Sequence, residues 1–142
     1  MSDPDLPLTG GCGCGAVRFE IDAPLVAAAY CHCTRCQRRS GAGAGASGRV
    51  APGTMRIVAG EDRLQAWWAG DGLEKVFCGG CGSGICARDR ESGAIAIVRL
   101  GALDADPGIR PSARQFTAYA AAWEPVPDDG LQRHPERIPP AA

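Results

Sequence analysis

From Ala16 the chain alternates apolar and polar side chains. Val17, Phe19 and Ile21 fall on one face and Arg18 and Glu20 on the other, the period-2 signature of a half-buried strand. Residues 25–30 form a short apolar run that leads directly into a cysteine cluster. Further short strands are expected over 54–59, 63–69, 73–77, 94–100 and 115–121, separated by the turn signals APG, AGED, AGDG, ESG and DADPG. No stretch combines a 3.6-residue apolar period with capping residues, so no helix is expected. The pattern predicts a mainly β domain of many short strands.

Two stretches fall outside this pattern. GAGAGASG at 41–48 reads either as a flexible linker or as a packed strand of small side chains beside a ligand site, where glycine allows close backbone approach. It lacks the Gly-Lys-Ser/Thr of a phosphate loop. From Glu124 the chain is proline-rich, with EPVP and RHPERIPP, and is expected to wrap the surface in extended form and fray at its end. The expected organisation is a flexible leader over 1–10, one folded domain over 11–131 and a proline-rich tail over 132–142.

A length of 142 residues fits one domain, and 45% apolar with 22% charged residues allows a globular core. Aromatics make up only 6%, so that core is built from small side chains and benefits from metal staples. The net charge of −1 gives no bulk attraction to nucleic acid or an anionic membrane. MSDPDLPLTG has neither the basic region nor the apolar stretch of a secretory signal, and no apolar run approaches the ~20 residues that span a bilayer. A cytoplasmic location is therefore expected, where thiols stay reduced and cysteine clusters point to metal rather than disulfides.

The 8 cysteines lie in three clusters: Cys12 and Cys14 in GCGCG, Cys31, Cys33 and Cys36 in CHCTRC, and Cys78, Cys81 and Cys86 in FCGGCGSGIC. On extended chain a C-x-C pair points both sulfurs to one face. In CGGCG the glycines permit the crowded backbone of a metal knuckle. Soft thiolates favour zinc over magnesium or calcium. Cys12, Cys14, Cys78 and Cys81 make a closed tetrahedral set, a structural zinc that contributes folding energy. Cys31, Cys33 and Cys36 then leave a fourth position vacant, the pattern of a catalytic zinc. In the rival division Cys86 completes a second closed site. In its apolar setting, Gly84-Ile85-Cys86-Ala87, it reads more simply as a buried free thiol acting as a small hydrophobe.

Five segments carry a family resemblance: GCGCGAVRFEI (11–21), YCHCTRCQRRSG (30–41), VFCGGCGSGIC (76–86), LGALDADPGIRP (100–111) and the late Trp123 before VPDDGL (126–131). Over about residues 11 to 131 the chain resembles the glutathione-dependent formaldehyde-activating enzymes and their relatives, the GFA or CENP-V/GFA domain. The ordered triplet of cysteine clusters is its specific part. The resemblance implies an Mss4-like fold of coiled antiparallel strands. It implies a structural zinc on Cys12, Cys14, Cys78 and Cys81 and a catalytic zinc on Cys31, Cys33 and Cys36, two per chain. The reaction it implies joins glutathione to formaldehyde as S-hydroxymethylglutathione, formally a carbon–sulfur lyase run in the synthetic direction. Where related sequences often carry a His before the strand leading to the late Trp, this chain reads Ala113-Arg114-Gln115-Phe116.

Arg35, Arg38 and Arg39 stand beside the proposed open zinc and are candidates for the glutathione carboxylates, since Arg binds carboxylate bidentately; the plainer reading is a solvated basic turn. Trp67, Trp68, Phe77 and Trp123 are candidates to line a substrate cleft, with core packing the alternative, and Trp123 is singled out by the resemblance alone. His32, between two ligand positions, is expected to face away from the metal as a supporting or exposed residue. His134 is expected to be exposed, and Asp104 to be a turn residue. Two other functions compete with the enzyme: a non-catalytic zinc module for a protein partner, and a metal-free redox thiol protein. The second lacks the βαβ context its C-x-x-C would need.

Overall fold

The computed structural model describes residues 3–140; the outermost two residues of the expected leader and of the expected tail lie outside the described residues. Along the chain run β1 (Leu8–Gly11), β2 (Arg18–Ile21), β3 (Ala27–Cys31), α1 (Thr34–Ser40), β4 (Gly45–Arg49), β5 (Met55–Ala59), β6 (Leu64–Trp67), β7 (Glu74–Cys78), β8 (Gly84–Arg88), β9 (Ile95–Arg99), β10 (Ala113–Gln115) and β11 (Gln132–Arg133). Two sheets result: β1-β2-β5, and an eight-stranded sheet in the order β11-β10-β3-β4-β9-β8-β7-β6. The protein is mainly β, as expected. The pairings are antiparallel except at one edge, where β10 runs parallel to both β3 and β11.

The alternation read at 17–21 places the core. Val17, Phe19 and Ile21 are 0%, 1% and 0% exposed, and they meet Val76, Ile85 and Val98 from the larger sheet, with Leu8, Leu25, Val50 and Met55 around them. Two cysteines of the closed set, Cys12 and Cys78, belong to the same buried cluster, so that thiol site is built into the core wall.

Several expectations are corrected. Residues 8–10 of the expected leader are strand, with Leu8 buried and paired to Ile21. At 132–133 the expected tail adds β11 to the sheet edge. A helix is present: α1 starts at Cys33, whose Sγ accepts from the Cys36 backbone N–H at 3.3 Å, and ends at Gly41, whose φ of 68° is the left-handed cap that glycine adopts without strain. β8 was hidden inside a cysteine motif. The strand expected at 115–121 stops early: Phe116 turns at φ 56° and a 3-10 turn follows at Thr117–Tyr119.

GAGAGASG resolves in favour of the packed strand. β4 lies between β3 and β9, and a Cβ on Gly48 would stand 2.6 Å from Leu25 Cδ1, so the small residue is what lets Leu25 close over the strand.

Candidate metal centres

The first centre joins three parts of the chain. Cys12 leaves β1 and reaches Cys14 through a turn closed by Gly15 N–H to the Cys12 carbonyl, not along the extended chain the spacing suggested. Cys78 ends β7, and a second turn, with Gly82 N–H donating to the Cys78 carbonyl at 2.7 Å, returns Cys81 to it. Ser83 staples the two turns, its Oγ accepting from Gly13 N–H at 2.9 Å and lying 3.2 Å from Cys81 Sγ. All four sulfurs lie within 4.8 Å of one another.

The sulfur spacing tests the metal directly. Zn–S bonds of about 2.3 Å in a tetrahedron hold sulfurs about 3.8 Å apart. Cys12 and Cys14 sulfurs are 3.5 Å apart and Cys14 and Cys78 sulfurs 3.9 Å, close to that edge and far beyond a disulfide bond. The Val17 N–H draws the Cys12 thiol below its ordinary range, and the Ser83 hydroxyl and amide draw Cys81 down to about 5. Cys14 is pulled down by the Ala16 amide but pushed up to about 11 by Cys12 and Cys81. Cys12, Cys14 and Cys81 compete for charge in one small volume, and a cation among them would let them ionise together.

The second centre lies at the end of β3 and the start of α1. Cys31 is the last residue of β3, Cys33 caps the helix, and Cys36 sits in its first turn. Their sulfurs also lie within 4.8 Å of one another, all three residues are half-buried, and among the described residues no fourth Cys, His, Asp or Glu joins them. Contact with Cys31 and Cys36 drives Cys33 down, contact with Cys33 and Cys36 drives Cys31 far up, and Cys36 is also raised: one thiolate held by two thiols. Three sulfurs so placed fit three corners of a tetrahedron.

Cys86 joins neither set. It is 2% exposed within β8, and burial pushes its thiol up to about 11. The structure thus offers the second centre no fourth thiol.

Strand alternation sorts the neighbours of the second centre. On one side of β3, Tyr30 and His32 flank a cavity of about 270 Å³ lined also by Gly43, Arg114 and Glu124. His32 is not exposed: it is 3% exposed, and its Nε2 meets Arg114 Nη1 at 3.2 Å, while Arg114 grips Asp129 at 2.7 Å and stacks on Tyr30. On the other side lie the sulfurs. Sheet register places Cys31 beside Gly45, and Ser47 beside Arg99. Lys75 and Phe77 share that face from β7, and Trp67 joins them opposite Lys75.

Of the three nominated arginines, Arg35 is exposed and bound to Asp71 by two hydrogen bonds, Arg38 is exposed, and Arg39 is half-buried near Arg99. Arg99 and Lys75 were not nominated. They come from strands distant in sequence, and only the sheet register brings them to this face. Trp67, Trp68 and Trp123 are exposed rather than core, and Arg90 covers Trp68. Trp123 is 69% exposed, and its chain neighbours Glu124 and Pro125 line the His32–Arg114 cavity, on the other side of β3 from the sulfurs. His134 is half-buried, its amide bonded to the Arg114 carbonyl. Asp104 is more than a turn residue: it takes Thr9 Oγ1 at 2.7 Å and pairs with Arg18. No helix among the described residues is long and apolar enough to cross a membrane.

Comparison with known proteins places this geometry. A family model described as glutathione-dependent formaldehyde-activating enzyme matches residues 7–119. A crystal structure of a Rhodobacter sphaeroides protein is similar at 27% identity and a TM-score of 0.51, over 72% of this chain and 91% of that one. No curated protein matches the chain.

Proposed function

The chain belongs to the glutathione-dependent formaldehyde-activating enzyme family, and from that premise we propose that it is a zinc-dependent enzyme of carbon–sulfur bond formation, adding glutathione or a related thiol to formaldehyde to give S-hydroxymethylglutathione. In this reading Cys12, Cys14, Cys78 and Cys81 hold a structural zinc. Cys31, Cys33 and Cys36 hold a second zinc with one corner left for the substrate. The observation that carries the proposal is the three-sulfur triangle, half-buried and without a fourth protein ligand among the described residues.

Zinc bound there supplies a Lewis acid that favours the thiolate form of a substrate thiol, whose free pKa is near ~8.5. Three thiolate donors leave such a metal electron-rich, which suits thiol binding better than carbonyl polarisation. The protein's part is positional. α1 and the end of β3 fix the triangle, because Cys33 both caps the helix and contributes a sulfur. The reaction forms one bond between the substrate sulfur and the formaldehyde carbon. The carbonyl π pair passes to oxygen, which takes up the proton the thiol gave up. Of the residues nominated from the sequence, Arg39 is a proposed substrate contact, with Arg35 and Arg38 at the rim; Trp123, on the far side of β3 from the sulfurs, is not carried into the proposal. The proposed setting is the cytoplasm, where thiols stay reduced.

Exchange NMR of glutathione and formaldehyde tests this reading. Zinc-loaded protein accelerates interconversion with the adduct, and Cys33→Ser protein does not. Equal rates with and without wild-type protein would overturn it.

A further inference from the structure

The face of the eight-stranded sheet that carries the three-sulfur triangle also carries an excess of positive charge. Arg99 Nη1 and Cys36 Sγ both lie within 3.7 Å of the point where a Gly45 Cβ would stand, so guanidinium and sulfur share one small space above β4. Arg99 is held there by a 2.8 Å hydrogen bond to Ser47 Oγ. Lys75 reaches the same face from β7, anchored by Nζ to the Leu73 carbonyl at 3.1 Å. Arg39, on α1 beyond Cys36, is half-buried and near enough to Arg99 to feel its charge.

None of these three cations has an acidic partner among the described residues, although seven other ion pairs are formed. Asp71 lies near enough to feel Lys75 but is bonded to Arg35 at the rim. A divalent zinc on three thiolates carries one negative charge, too little to balance three cations. Half-buried cations without counterions are costly unless a ligand completes the balance.

We propose that Arg39, Lys75 and Arg99 form a carboxylate subsite beside the open corner, which selects thiols carrying a carboxylate over neutral or cationic thiols. This rests on the thiol-binding reading above and assigns the residues that set its specificity. Phe77, half-buried on the same face, gives the subsite an apolar wall that strengthens charge–charge contact. Arg99 and Lys75 thereby become specificity-determining residues that the local motif around the cysteines does not contain.

The test is isothermal titration of the zinc-loaded protein with glutathione and with its dimethyl ester, without formaldehyde. Wild type is compared with Lys75→Gln, Arg99→Gln and, as a remote cation control on β5, Arg56→Gln. The expected result is that the ester binds about tenfold more weakly than glutathione to wild type and to Arg56→Gln, the size of one charge-assisted hydrogen bond. Lys75→Gln and Arg99→Gln lose about tenfold for glutathione and little for the ester, so the discrimination collapses. Equal affinity of wild type for acid and ester, or variants that weaken both ligands alike, would overturn the subsite while leaving the thiol-binding reading in place. Failure of wild type to bind either ligand would overturn both.

Discussion

Arg114 binds His32, Nη1 to Nε2 at 3.2 Å, and with its other nitrogens holds Asp129, so the residue between Cys31 and Cys33 is tied to the C-terminal segment. Burial and the Arg114 charge both lower the pKa of His32, which suits an acceptor facing a guanidinium. The pairing fixes the chain between Cys31 and Cys33 from the side away from the sulfurs.

Arg114→Ala removes that brace and leaves His32 and Asp129 without their partner. We expect a loss of about 2–3 kcal/mol in urea unfolding. Zinc affinity at the three-cysteine site falls by about 10–100-fold. Zinc at the four-cysteine site, which the brace does not touch, is retained. Competition with a chromophoric chelator resolves the two.

Cys78→Ser and Cys33→Ser are expected to differ sharply. Cys78 is buried in the core wall, and a structural zinc contributes about 10 kcal/mol or more, comparable to the whole stability of a domain. Cys78→Ser therefore unfolds the chain, seen as loss of dispersed amide resonances. Cys33→Ser keeps the helix start, because serine is itself a strong N-cap, and gives folded protein with one zinc fewer per chain.

Cys86 gives a pH signature. Its folded thiol is pushed up to about 11 by burial, whereas in the unfolded chain it ionises near ~8.5. Between these values the unfolded state has lost a proton that the folded state keeps, so stability falls as pH rises. The contribution is fully present below the unfolded value and about 3 kcal/mol is lost by pH 11. Denaturant melts from pH 8 to 11 should show this slope in wild type and a shallower one in Cys86→Ala.

Gly48→Ala places a methyl 2.6 Å from Leu25 Cδ1 and 3.2 Å from Leu100 Cδ2. Overpacking of a central strand should cost about 1–3 kcal/mol, measured as a lower urea midpoint with an unchanged slope.

Much of this was legible in the sequence because it is local. The alternation at Val17, Phe19 and Ile21 names the core, and C-x-C and C-x-x-C spacings name the sulfurs that meet. What escaped depends on register or on side chains in unusual roles. Lys75 and Arg99 stand beside the second centre only because β7, β8, β9 and β4 are neighbours in a sheet. α1 buries no residue and is capped by a cysteine, so neither apolar period nor a usual cap announces it. β8 escaped because its apolar residues sit inside a cysteine motif, next to a register shift between Val76 and Phe77. His32 was read as supporting or exposed because its partner, Arg114, lies 82 residues away.

The central claim is an open metal corner at Cys31, Cys33 and Cys36 that takes a substrate thiol. Its most direct test is absorption titration of the cobalt(II)-loaded protein with glutathione, without formaldehyde. A substrate thiolate joining three protein thiolates raises the near-ultraviolet sulfur-to-cobalt charge-transfer band. The rise should saturate at one thiol per chain and be absent in Cys33→Ser. A spectrum that does not change with glutathione, in protein carrying both metals, would contradict it.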